Sequence, residues 1–302
     1  MTKVIISGAT SMIGLALIEE CIKDNIQILA LCRANSAKLS LIPKHKLVKI
    51  LACDLEEMKT VALPNDFKYN VFFHLGWAYT DKKNRDDPQF QAKNIDYTLD
   101  AVKFAKAAGC KKFIGAGSQA EYGRVEGKIK PNQAPNPDIS YGAAKYCAGI
   151  LSRIMCGKLG IEHNWVRIFS VYGKNDNSET LVSYLISRLL AGKSCDLTAC
   201  EQQWDYLNVE DCAKALLLIA RLGKNNEVYN IGGGKAQKLK EYVEVIKRLA
   251  NSNSTINYGA IPYSDKQVMH LEADIGNLTK DTGFVPSITF EQGISQIIQT
   301  LR

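Results

Sequence analysis

A glycine-rich turn near the beginning of the chain constrains its fold more than any other feature. Val4-Ile5-Ile6 is typical of a short buried strand, residues 7–14 hold two glycines, and an amphipathic pattern over 15–23 predicts a helix. In such a strand–turn–helix unit, the amides at the helix N-terminus point at a bound pyrophosphate. Gly8 permits the tight turn, and Gly14 lets the helix pack closely on the strand. The sequence therefore predicts an α/β protein with a pyrophosphate site at its first turn, the alternative being a glycine turn that binds no nucleotide.

The second predicted strand, 26–31, indicates which dinucleotide such a turn would bind. An NAD site needs a carboxylate after this strand for the adenosine ribose, and Cys32-Arg33-Ala34-Asn35-Ser36 contains none. Arg33, with Ser36 and Lys38 nearby, can instead neutralise a 2′-phosphate. We therefore expect NADP(H) to be favoured over NAD(H); the alternative is an ordinary exposed arginine in a loop.

Two further predicted strands, 47–51 and 71–75, end in short motifs. Asp54, in Cys53-Asp54-Leu55, can accept a hydrogen bond from an adenine amino group or cap a helix. His74 lies within an apolar strand and is predicted to be a packed core residue, not a ligand. Polar residues over 79–88 predict a loop at the mouth of the site, followed by a helix over 91–108.

Tyr141-Gly142-Ala143-Ala144-Lys145 carries the predicted chemistry. Residues four apart lie one turn from each other on one helix face, so Lys145 is expected beside Tyr141. An ammonium beside a phenol favours the phenolate, and the pKa of Tyr141 is therefore predicted to fall. Such a tyrosine can exchange a proton with a sugar or alcohol oxygen while hydride moves at the adjacent carbon. The alternatives are a solvated helix for this pair and a plain turn for Ser118, which follows a predicted strand at 112–116.

Composition narrows the class of protein further. With 302 residues, 46% of them hydrophobic, the chain can form one large core or two modest ones. Its net charge of +7 suits an anionic substrate, but no basic patch with interleaved aromatics predicts nucleic-acid binding. The 9 cysteines are scattered, which indicates neither a metal site nor a disulfide framework and points to a reducing compartment. Without a basic leader or an apolar run of membrane-spanning length, a soluble cytoplasmic protein with no membrane partner is expected.

The motifs together carry a family resemblance. The chain resembles extended short-chain dehydrogenases/reductases of the nucleotide-sugar epimerase/dehydratase superfamily. The segments that match, in the order of that family, are the 7–14 turn, Cys53-Asp54-Leu55, Phe73-His74-Leu75, the Asn94 helix, Gly117-Ser118, Tyr122-Gly123, the Tyr141–Lys145 motif, Val166-Arg167-Ile168-Phe169-Ser170-Val171-Tyr172-Gly173, Leu207-Asn208-Val209-Glu210-Asp211 and Tyr229-Asn230-Ile231-Gly232-Gly233. They cover nearly the whole chain.

The resemblance implies a Rossmann doubly wound parallel sheet and a smaller C-terminal α/β substrate domain. The dinucleotide-binding domain is expected over 1–170, with a return segment at about 201–231. The substrate domain is expected over 171–200 and 232–302, including a loop at 263–270. A homodimer is also implied, formed through helices at about 91–108 and 140–157, where Ala143, Ala144, Ala148 and Gly149 would allow close packing.

The resemblance also implies the site residues. Ser118, Tyr141 and Lys145 would form the catalytic set, and Lys145 would also hold the nicotinamide ribose. The expected cofactor site consists of Gly8, Ser11, Met12, Ile13, Gly14, Arg33, Ser36, Asp54, Leu55, Leu75, Gly76, Tyr141, Lys145, Ile168 and Phe169. The substrate, a nucleotide-diphosphate sugar, is expected to contact Trp77, Gln119, Glu121, Ser170 and Trp204.

Three of these positions depart from the usual pattern or have two interpretations. Ser11 replaces the middle glycine of the turn, and its hydroxyl can reach a phosphate. Ser170 stands where many relatives have an asparagine that binds the diphosphate. Trp204 can stack on a base or pack in the core.

The reaction predicted from the resemblance is NADPH-dependent reduction of the C4 ketone of a nucleotide-linked 4-keto-6-deoxyhexose. A 4,6-dehydratase needs an Asp-Glu pair after the catalytic hydroxyl residue, whereas Gln119-Ala120 follows Ser118. Glu121, one position later, is expected to point elsewhere if the segment is extended. A 4-epimerase usually has a carboxylate after the second strand, where Arg33 stands. The epimerase is the main alternative, and a dehydratase or a non-catalytic NADP(H) sensor is less favoured.

Overall fold

A computed structural model describes residues 1–61, 68–81, 83–264 and 267–302. Residue 82 of the predicted 79–88 loop and residues 265–266 of the predicted 263–270 loop lie outside the described residues.

Strands and helices alternate over the first part of the chain, as the sequence pattern predicts. The described strands are β1 (Lys3–Ser7), β2 (Gln27–Cys32), β3 (Val48–Ala52), β4 (Val71–His74), β5 (Lys112–Ser118), β6 (Gly127–Ile129), β7 (Glu162–Ile168), β8 (Ser170–Tyr172), β9 (Cys195–Leu197), β10 (Gln203–Trp204), β11 (Tyr206–Asn208), β12 (Val228–Ile231), β13 (Gln237–Lys238), β14 (Ile256–Tyr258) and β15 (His270–Ala273). The described α-helices are α1 (Met12–Lys23), α2 (Pro88–Ala107), α3 (Ser140–Leu159), α4 (Leu181–Leu190), α5 (Val209–Leu222), α6 (Leu239–Ala250), α7 (Gly276–Thr282) and α8 (Phe290–Leu301).

A parallel sheet forms the centre of the molecule. Within the described ranges it has seven strands in the order β12-β7-β5-β4-β1-β2-β3. The order reverses next to β1, so the carboxyl ends of β1 and β4 border a crevice of the kind that binds dinucleotides. The predicted Rossmann architecture is confirmed.

Side chains of the central sheet alternate between two apolar clusters. Val4 and Ile6 of β1 pack in a cluster shared with α1 and α5. Ile5, between them, packs in a cluster on the opposite face, shared with α2 and α3. Helices therefore cover both faces, which explains why the strands are nearly continuous apolar runs.

A smaller mixed sheet lies beyond the carboxyl end of the central one. Among the described residues its order is β13-β10-β15-β6, with β13 antiparallel to β10 and the other pairs parallel. Three segments cross the boundaries expected from the sequence. The strand β6, from within 1–170, and the strand β10, from the expected return segment 201–231, both pair in the smaller sheet. The helix α7, from 232–302, packs against α5 and β12 of the central layer.

Local capping chemistry sets helix boundaries that periodicity alone misplaces. The helix predicted over 15–23 begins at Met12, because Ser11 caps it. The helix predicted over 91–108 begins at Pro88, because Asp87 caps it and proline suits a first helical position. No helix in the described parts of the chain is long and apolar enough to cross a membrane. All nine cysteines of the chain are described, and none is in a disulfide.

Candidate active site

The glycine turn packs against the end of a neighbouring strand. Gly8 has a φ of 68°, and a Cβ there would lie 2.7 Å from the amide nitrogen of Gly76. A Cβ on Gly14 would collide with the carbonyl oxygen of Gly8. Both glycines therefore serve the close approach of three backbone segments at the carboxyl edge of the sheet.

The N-terminus of α1 offers free amides at this turn. Ser11 caps the helix, its Oγ accepting a hydrogen bond of 3.0 Å from the Gly14 amide. The first amides of a helix have no acceptor within it, so those of Met12 and Ile13 remain available for an anion. The Ser11 hydroxyl acts first as a cap, and its predicted contact with a phosphate stays a prediction.

The residues after β2 lie beside the same turn. Arg33 is exposed directly after the strand, and the Ser36 hydroxyl donates to Thr10 Oγ1 at 3.3 Å. Lys38 donates to the carbonyl oxygen of Asn175 at 3.2 Å, which ties this loop to the segment after β8. Arg33 and Ser36 therefore lie at the carboxyl end of β2, next to the glycine turn, and the predicted contact of Arg33 with a 2′-phosphate stays a prediction.

Asp54 acts as a helix cap, which is the second of the two roles considered for it. Its Oδ1 accepts from the Leu55 amide at 2.7 Å, and Glu57 completes a capping box. The Leu55 side chain closes over Gly76, where an added Cβ would lie 2.8 Å from Leu55 Cδ2. Leu55, Leu75 and Gly76 thus form one wall of the crevice next to Gly8.

A directed chain of hydrogen bonds runs beneath this wall. Gly76 N donates to Ser7 Oγ at 3.3 Å, and Ser7 Oγ lies 2.9 Å from His74 Nδ1. His74 Nε2 lies 3.3 Å from Thr98 Oγ1, which donates to the Asn94 carbonyl at 2.8 Å. Because Thr98 and Gly76 both donate, His74 carries its proton on Nε2. Burial lowers the pKa of His74 to about 3, with a smaller effect of Lys145, and its predicted place in the core is confirmed.

The three predicted catalytic residues come together at the ends of β5 and α3. Ser118 is the last residue of β5, is nearly buried, and caps a short 3-10 helix by accepting from the Ala120 amide at 3.2 Å. Tyr141 is the second residue of α3, and its phenol lies near enough to Ser118 for the serine hydroxyl to lower the pKa of Tyr141. Lys145 follows one turn later on the buried side of the helix.

The Lys145 ammonium has two partners besides the tyrosine. It donates to the carbonyl oxygen of Ala116 and lies 3.8 Å from the centroid of the Trp77 ring, against 5.8 Å for the Tyr141 ring. Burial lowers the pKa of Lys145 to about 7; nearby Glu121 opposes this change and Arg85 adds to it. Trp77 is fixed in turn by a 2.9 Å hydrogen bond from its Nε1 to Gln91.

The expectation that Lys145 lowers the pKa of Tyr141 is wrong for this structure. Burial raises the pKa of Tyr141 above its ordinary value. Two effects oppose burial and lower the pKa of Tyr141: the charge of Arg85 and, to a smaller extent, the nearby Ser118 hydroxyl. The Arg85 guanidinium lies 3.9 Å from the centroid of the Tyr141 ring. The reason for the error is that spacing along a helix places Lys145 near Tyr141 but does not show where the ammonium is hydrogen-bonded.

Glu121 does not face the crevice, and its predicted contact with the substrate is wrong. The carboxylate is fully buried and accepts from Ser118 N at 2.8 Å, Trp165 Nε1 at 2.9 Å and Arg167 Nε at 2.7 Å. These donors surround both oxygens, so the side chain supports Ser118 from behind. The segment is a short 3-10 helix, not the extended stretch assumed from the sequence.

The remaining predicted residues divide between the crevice and the core. Gln119 and Ser170 are partly exposed at the carboxyl edge of the central sheet, as is Ile168 at the end of β7. Phe169 is nearly buried and packs near Tyr122. Trp204 packs against two apolar clusters, which agrees with the core alternative considered for it.

Sequence reasoning missed the residues that hold the 79–88 loop. Gln91 Nε2 donates to the Tyr79 carbonyl at 2.7 Å, and Asn94 bonds to both backbone groups of Ala78. Asp86 accepts from Ser140 N at 2.8 Å and from Ser140 Oγ at 2.9 Å. Only the Asp87-Pro88 cap is readable from local sequence, because the other contacts join segments that are distant in the chain.

Comparison with known proteins places this geometry in a family. The model of the family described as "NAD dependent epimerase/dehydratase family" matches residues 4–232. The chain belongs to that family. It is an NAD(P)-dependent enzyme of the extended short-chain dehydrogenase/reductase type, as predicted.

Two relatives of low identity match over nearly their whole length. The chain is 26% identical to CDP-abequose synthase of Salmonella muenchen, covering 98% of this chain and 97% of the relative. It is 22% identical to dTDP-4-dehydro-6-deoxyglucose reductase of Escherichia coli, over 99% and 97%. Among solved structures, UDP-glucose 4-epimerase of Thermotoga maritima with UDP-glucose superposes with a TM-score of 0.87 at 21% identity, over 100% and 99%. The structural likeness shows the shared fold.

The described residues fit a nicotinamide dinucleotide. The free amides of α1 and the wall formed by Leu75 and Gly76 would hold its pyrophosphate and the adjoining sugar, and Lys145 would hold the nicotinamide ribose. When bound, the cofactor supplies or accepts a hydride. The chain itself contributes a phenol at Tyr141 and a nearby hydroxyl at Ser118, at the end of the crevice.

Proposed function

We propose that this protein reduces the C4 ketone of a nucleotide-linked 4-keto-6-deoxyhexose, using NADPH, in deoxysugar biosynthesis. The observation that carries the proposal is the composition of the segment after β2. It has no carboxylate to bind the adenosine ribose, and it presents the exposed Arg33 next to Ser36, beside the glycine turn. A guanidinium there suits a 2′-phosphate, and NADP(H) suits an enzyme that consumes and releases its cofactor.

The environment of Glu121 supports a reductase over a 4,6-dehydratase. A dehydratase must remove the proton at C5, next to the C4 ketone, and protonate the C6 hydroxyl so that it leaves as water. This elimination needs an acid and a base besides Tyr141. Gln119 and Ala120 cannot serve, and the Glu121 carboxylate is occupied by Ser118, Trp165 and Arg167. No second proton-transfer group follows Ser118 in this segment.

In the proposed reaction Tyr141 is the acid. Its phenolic proton passes to the C4 oxygen as hydride arrives at C4, and the Ser118 hydroxyl polarises the same oxygen. Trp77, beside Lys145 at the mouth of the site, and Gln119 and Ser170 at the sheet edge are proposed to contact the substrate. Trp204 is only partly buried, and we propose that it borders the base of the substrate.

Two of the relatives agree with this substrate class. The Escherichia coli relative is named as a reductase of a dTDP-linked 4-dehydro-6-deoxy sugar, and the Salmonella relative acts in the synthesis of a CDP-linked sugar. We extend to this chain a nucleotide-diphosphate sugar as substrate. The base, the sugar and the configuration produced at C4 depend on the shape of the pocket.

We also propose that the enzyme is a cytoplasmic homodimer. Leu151 and Ile154 of α3 are 37% and 48% exposed, on a helix that packs against α2. Of the small residues considered for close packing, Ala144, Ala148 and Gly149 are buried within the chain itself, Gly149 against Trp165. Ala143 is exposed on α3, so the apolar surface left for a second copy consists of Ala143, Leu151 and Ile154.

The deciding experiment measures NADPH and NADH oxidation by the purified protein with CDP-, dTDP-, GDP- and UDP-linked 4-keto-6-deoxyhexoses. We expect turnover with NADPH on one nucleotide class and a lower rate with NADH. Arg33→Asp should reverse this cofactor preference. Lys46→Asp, an exposed basic residue away from the crevice, is the matched control. Absence of turnover together with NAD released on denaturation would contradict the proposal and favour a 4-epimerase.

A further inference from the structure

Arg85 contacts the face of the catalytic tyrosine, a position that nothing in the helix motif predicts. Its guanidinium carbon lies 3.9 Å from the centroid of the Tyr141 ring, well within the range of a cation–π contact. From the geometry we infer that Arg85 is a positioning residue for the reaction: it holds the Tyr141 ring and stabilises the negative charge that develops on its oxygen. The inference deepens the proposed function and rests on it for the identity of the substrate.

The loop that carries Arg85 is fastened at both ends of the site. Asp86 accepts two hydrogen bonds from Ser140. Arg85 precedes Asp86 and Tyr141 follows Ser140, so these bonds bring the backbones of Arg85 and Tyr141 close together. On the other side, Gln91 Nε2 donates to the Asn84 carbonyl at 3.1 Å, and the Arg85 amide donates to the Asp81 carbonyl at 2.9 Å. These hydrogen bonds fix the backbone on both sides of Arg85 beside α3, which keeps the guanidinium within reach of the Tyr141 ring.

The charge of Arg85 is not neutralised by its acidic neighbours. Asp86 Oδ1 is bonded to the Ser140 amide, and Asp87 Oδ1 accepts from two amides at the start of α2. Across the described ranges, no carboxylate lies within ion-pair distance of the Arg85 guanidinium. The contact described for the charged guanidinium is therefore the one with the Tyr141 ring.

The second cation of the site is placed differently. The Lys145 ammonium is bonded to Ala116 and lies over Trp77, and burial lowers its pKa to about 7. Near neutral pH a large part of it is uncharged, whereas an arginine side chain stays protonated. Arg85 is therefore the permanent positive charge at Tyr141.

The proton balance shows what this charge does. Two electrons reach the substrate carbonyl carbon as hydride from the reduced nicotinamide, the carbonyl π bond breaks, and the phenolic proton of Tyr141 bonds to the oxygen. The phenolate left on Tyr141 is then reprotonated from solvent. The charged and titratable groups near this phenolate are Arg85 from the loop, Lys145 from α3, and Glu121 from behind Ser118. Arg85 stabilises the phenolate and Glu121 opposes it, whereas the Lys145 ammonium is bonded to Ala116.

The test follows the ionisation of Tyr141 directly, without substrate. The full chain is labelled with tyrosine carrying ¹³C at Cζ, its NMR spectrum is recorded from pH 7 to 11, and Tyr141→Phe identifies the signal among the 13 tyrosines. In Arg85→Gln we expect ionisation to begin about one pH unit higher than in the wild type. Arg85→Lys, which keeps a charge, should fall between them, and Lys83→Gln, an exposed residue of the same loop, should match the wild type.

Turnover supplies the second readout. At pH 8 the rate of alcohol oxidation with NADP, which needs the phenolate, should fall about tenfold in Arg85→Gln and much less in Arg85→Lys. Unchanged ionisation of Tyr141 in Arg85→Gln would overturn the inference, as would an equal change in Lys83→Gln or in Arg85→Lys. A protein that turns over no nucleotide sugar refutes the proposed function but leaves the titration to decide on Arg85.

Discussion

The carboxylate of Glu121 and the guanidinium of Arg167 form an ion pair with 2.7 Å between Oε2 and Nε, and both side chains are buried. Through its other oxygen Glu121 also holds the amide of Ser118. The pair therefore links β7 to Ser118, the residue proposed to polarise the substrate oxygen.

Replacing Glu121 by glutamine should destabilise the protein. The change keeps the shape of the side chain but leaves the buried Arg167 without a counter-charge, which costs about 3 kcal/mol. Urea unfolding followed by fluorescence measures the loss, with Glu241→Gln, an exposed carboxyl on α6, as the control. A loss below about 0.5 kcal/mol, the size expected for a surface change, would show that the pair contributes little.

Tyr141→Phe should remove activity without removing cofactor binding. The phenolic proton is the one proposed to reach the C4 oxygen, and loss of a positioned acid lowers rates by about a hundredfold or more. NADPH binding, measured by fluorescence, should remain nearly unchanged. Tyr146→Phe, five residues later on α3 and outside the crevice, serves as the control. An active Phe variant would refute the role of Tyr141.

Ser118→Ala should reduce turnover less than Tyr141→Phe. The hydroxyl assists by polarising the oxygen, and losing one such donor costs about tenfold to a thousandfold in rate. The variant also loses the cap on the short helix after β5, so its melting temperature is measured beside kcat, with Ser187→Ala on α4 as the control. A loss as large as that of Tyr141→Phe would identify Ser118 as an essential proton-transfer group.

Lys145 should make stability depend on pH above neutrality. Its pKa in the folded chain is about 7, against 10.5 for the free side chain, so between these values the unfolded chain binds more protons. The free energy of unfolding therefore rises with pH across this window, and the contribution is constant below pH 7. Unfolding in urea at pH 7, 8 and 9 should show a steeper rise for the wild type than for Lys145→Met. Equal slopes would mean that Lys145 titrates normally; Lys103→Met, on the exposed side of α2, provides the reference.

The dimer proposed above should depend on Leu151 and Ile154. Substituting both by glutamate places two charges on the apolar surface of α3, which an interface between copies would have to desolvate. Light scattering after size exclusion should show a dimer for the wild type and a monomer for the variant. Val285→Glu, on an exposed loop, should stay dimeric. A monomeric wild type, or a dimer unaffected by the double change, would contradict this surface.

The sequence predicts the features of the site that depend on local spacing. The glycine turn, the core position of His74, and the approach of Tyr141 to Lys145 all follow from residues a few positions apart or from burial in one strand. The partners of Glu121 could not be predicted, because Trp165 and Arg167 lie more than forty residues further along the chain. Arg85 was missed for the same reason, since its position over Tyr141 depends on hydrogen bonds between the loop, α2 and α3.

In both sheets a strand from the first part of the chain pairs with a strand that is synthesised much later, and this limits the order of folding during synthesis. β7 is paired with β5 on one side, but its other edge has no partner until β12, at residues 228–231, leaves the ribosome. β6 stays unpaired for longer, because its partner β15 spans His270–Ala273 and is synthesised later than β12. The nascent chain therefore exposes the outer edge of β7 until β12 is made, and β6 stays unpaired until β15 is made. Unpaired strand edges are where nascent chains associate wrongly. A fragment ending near residue 170 would keep both edges open permanently.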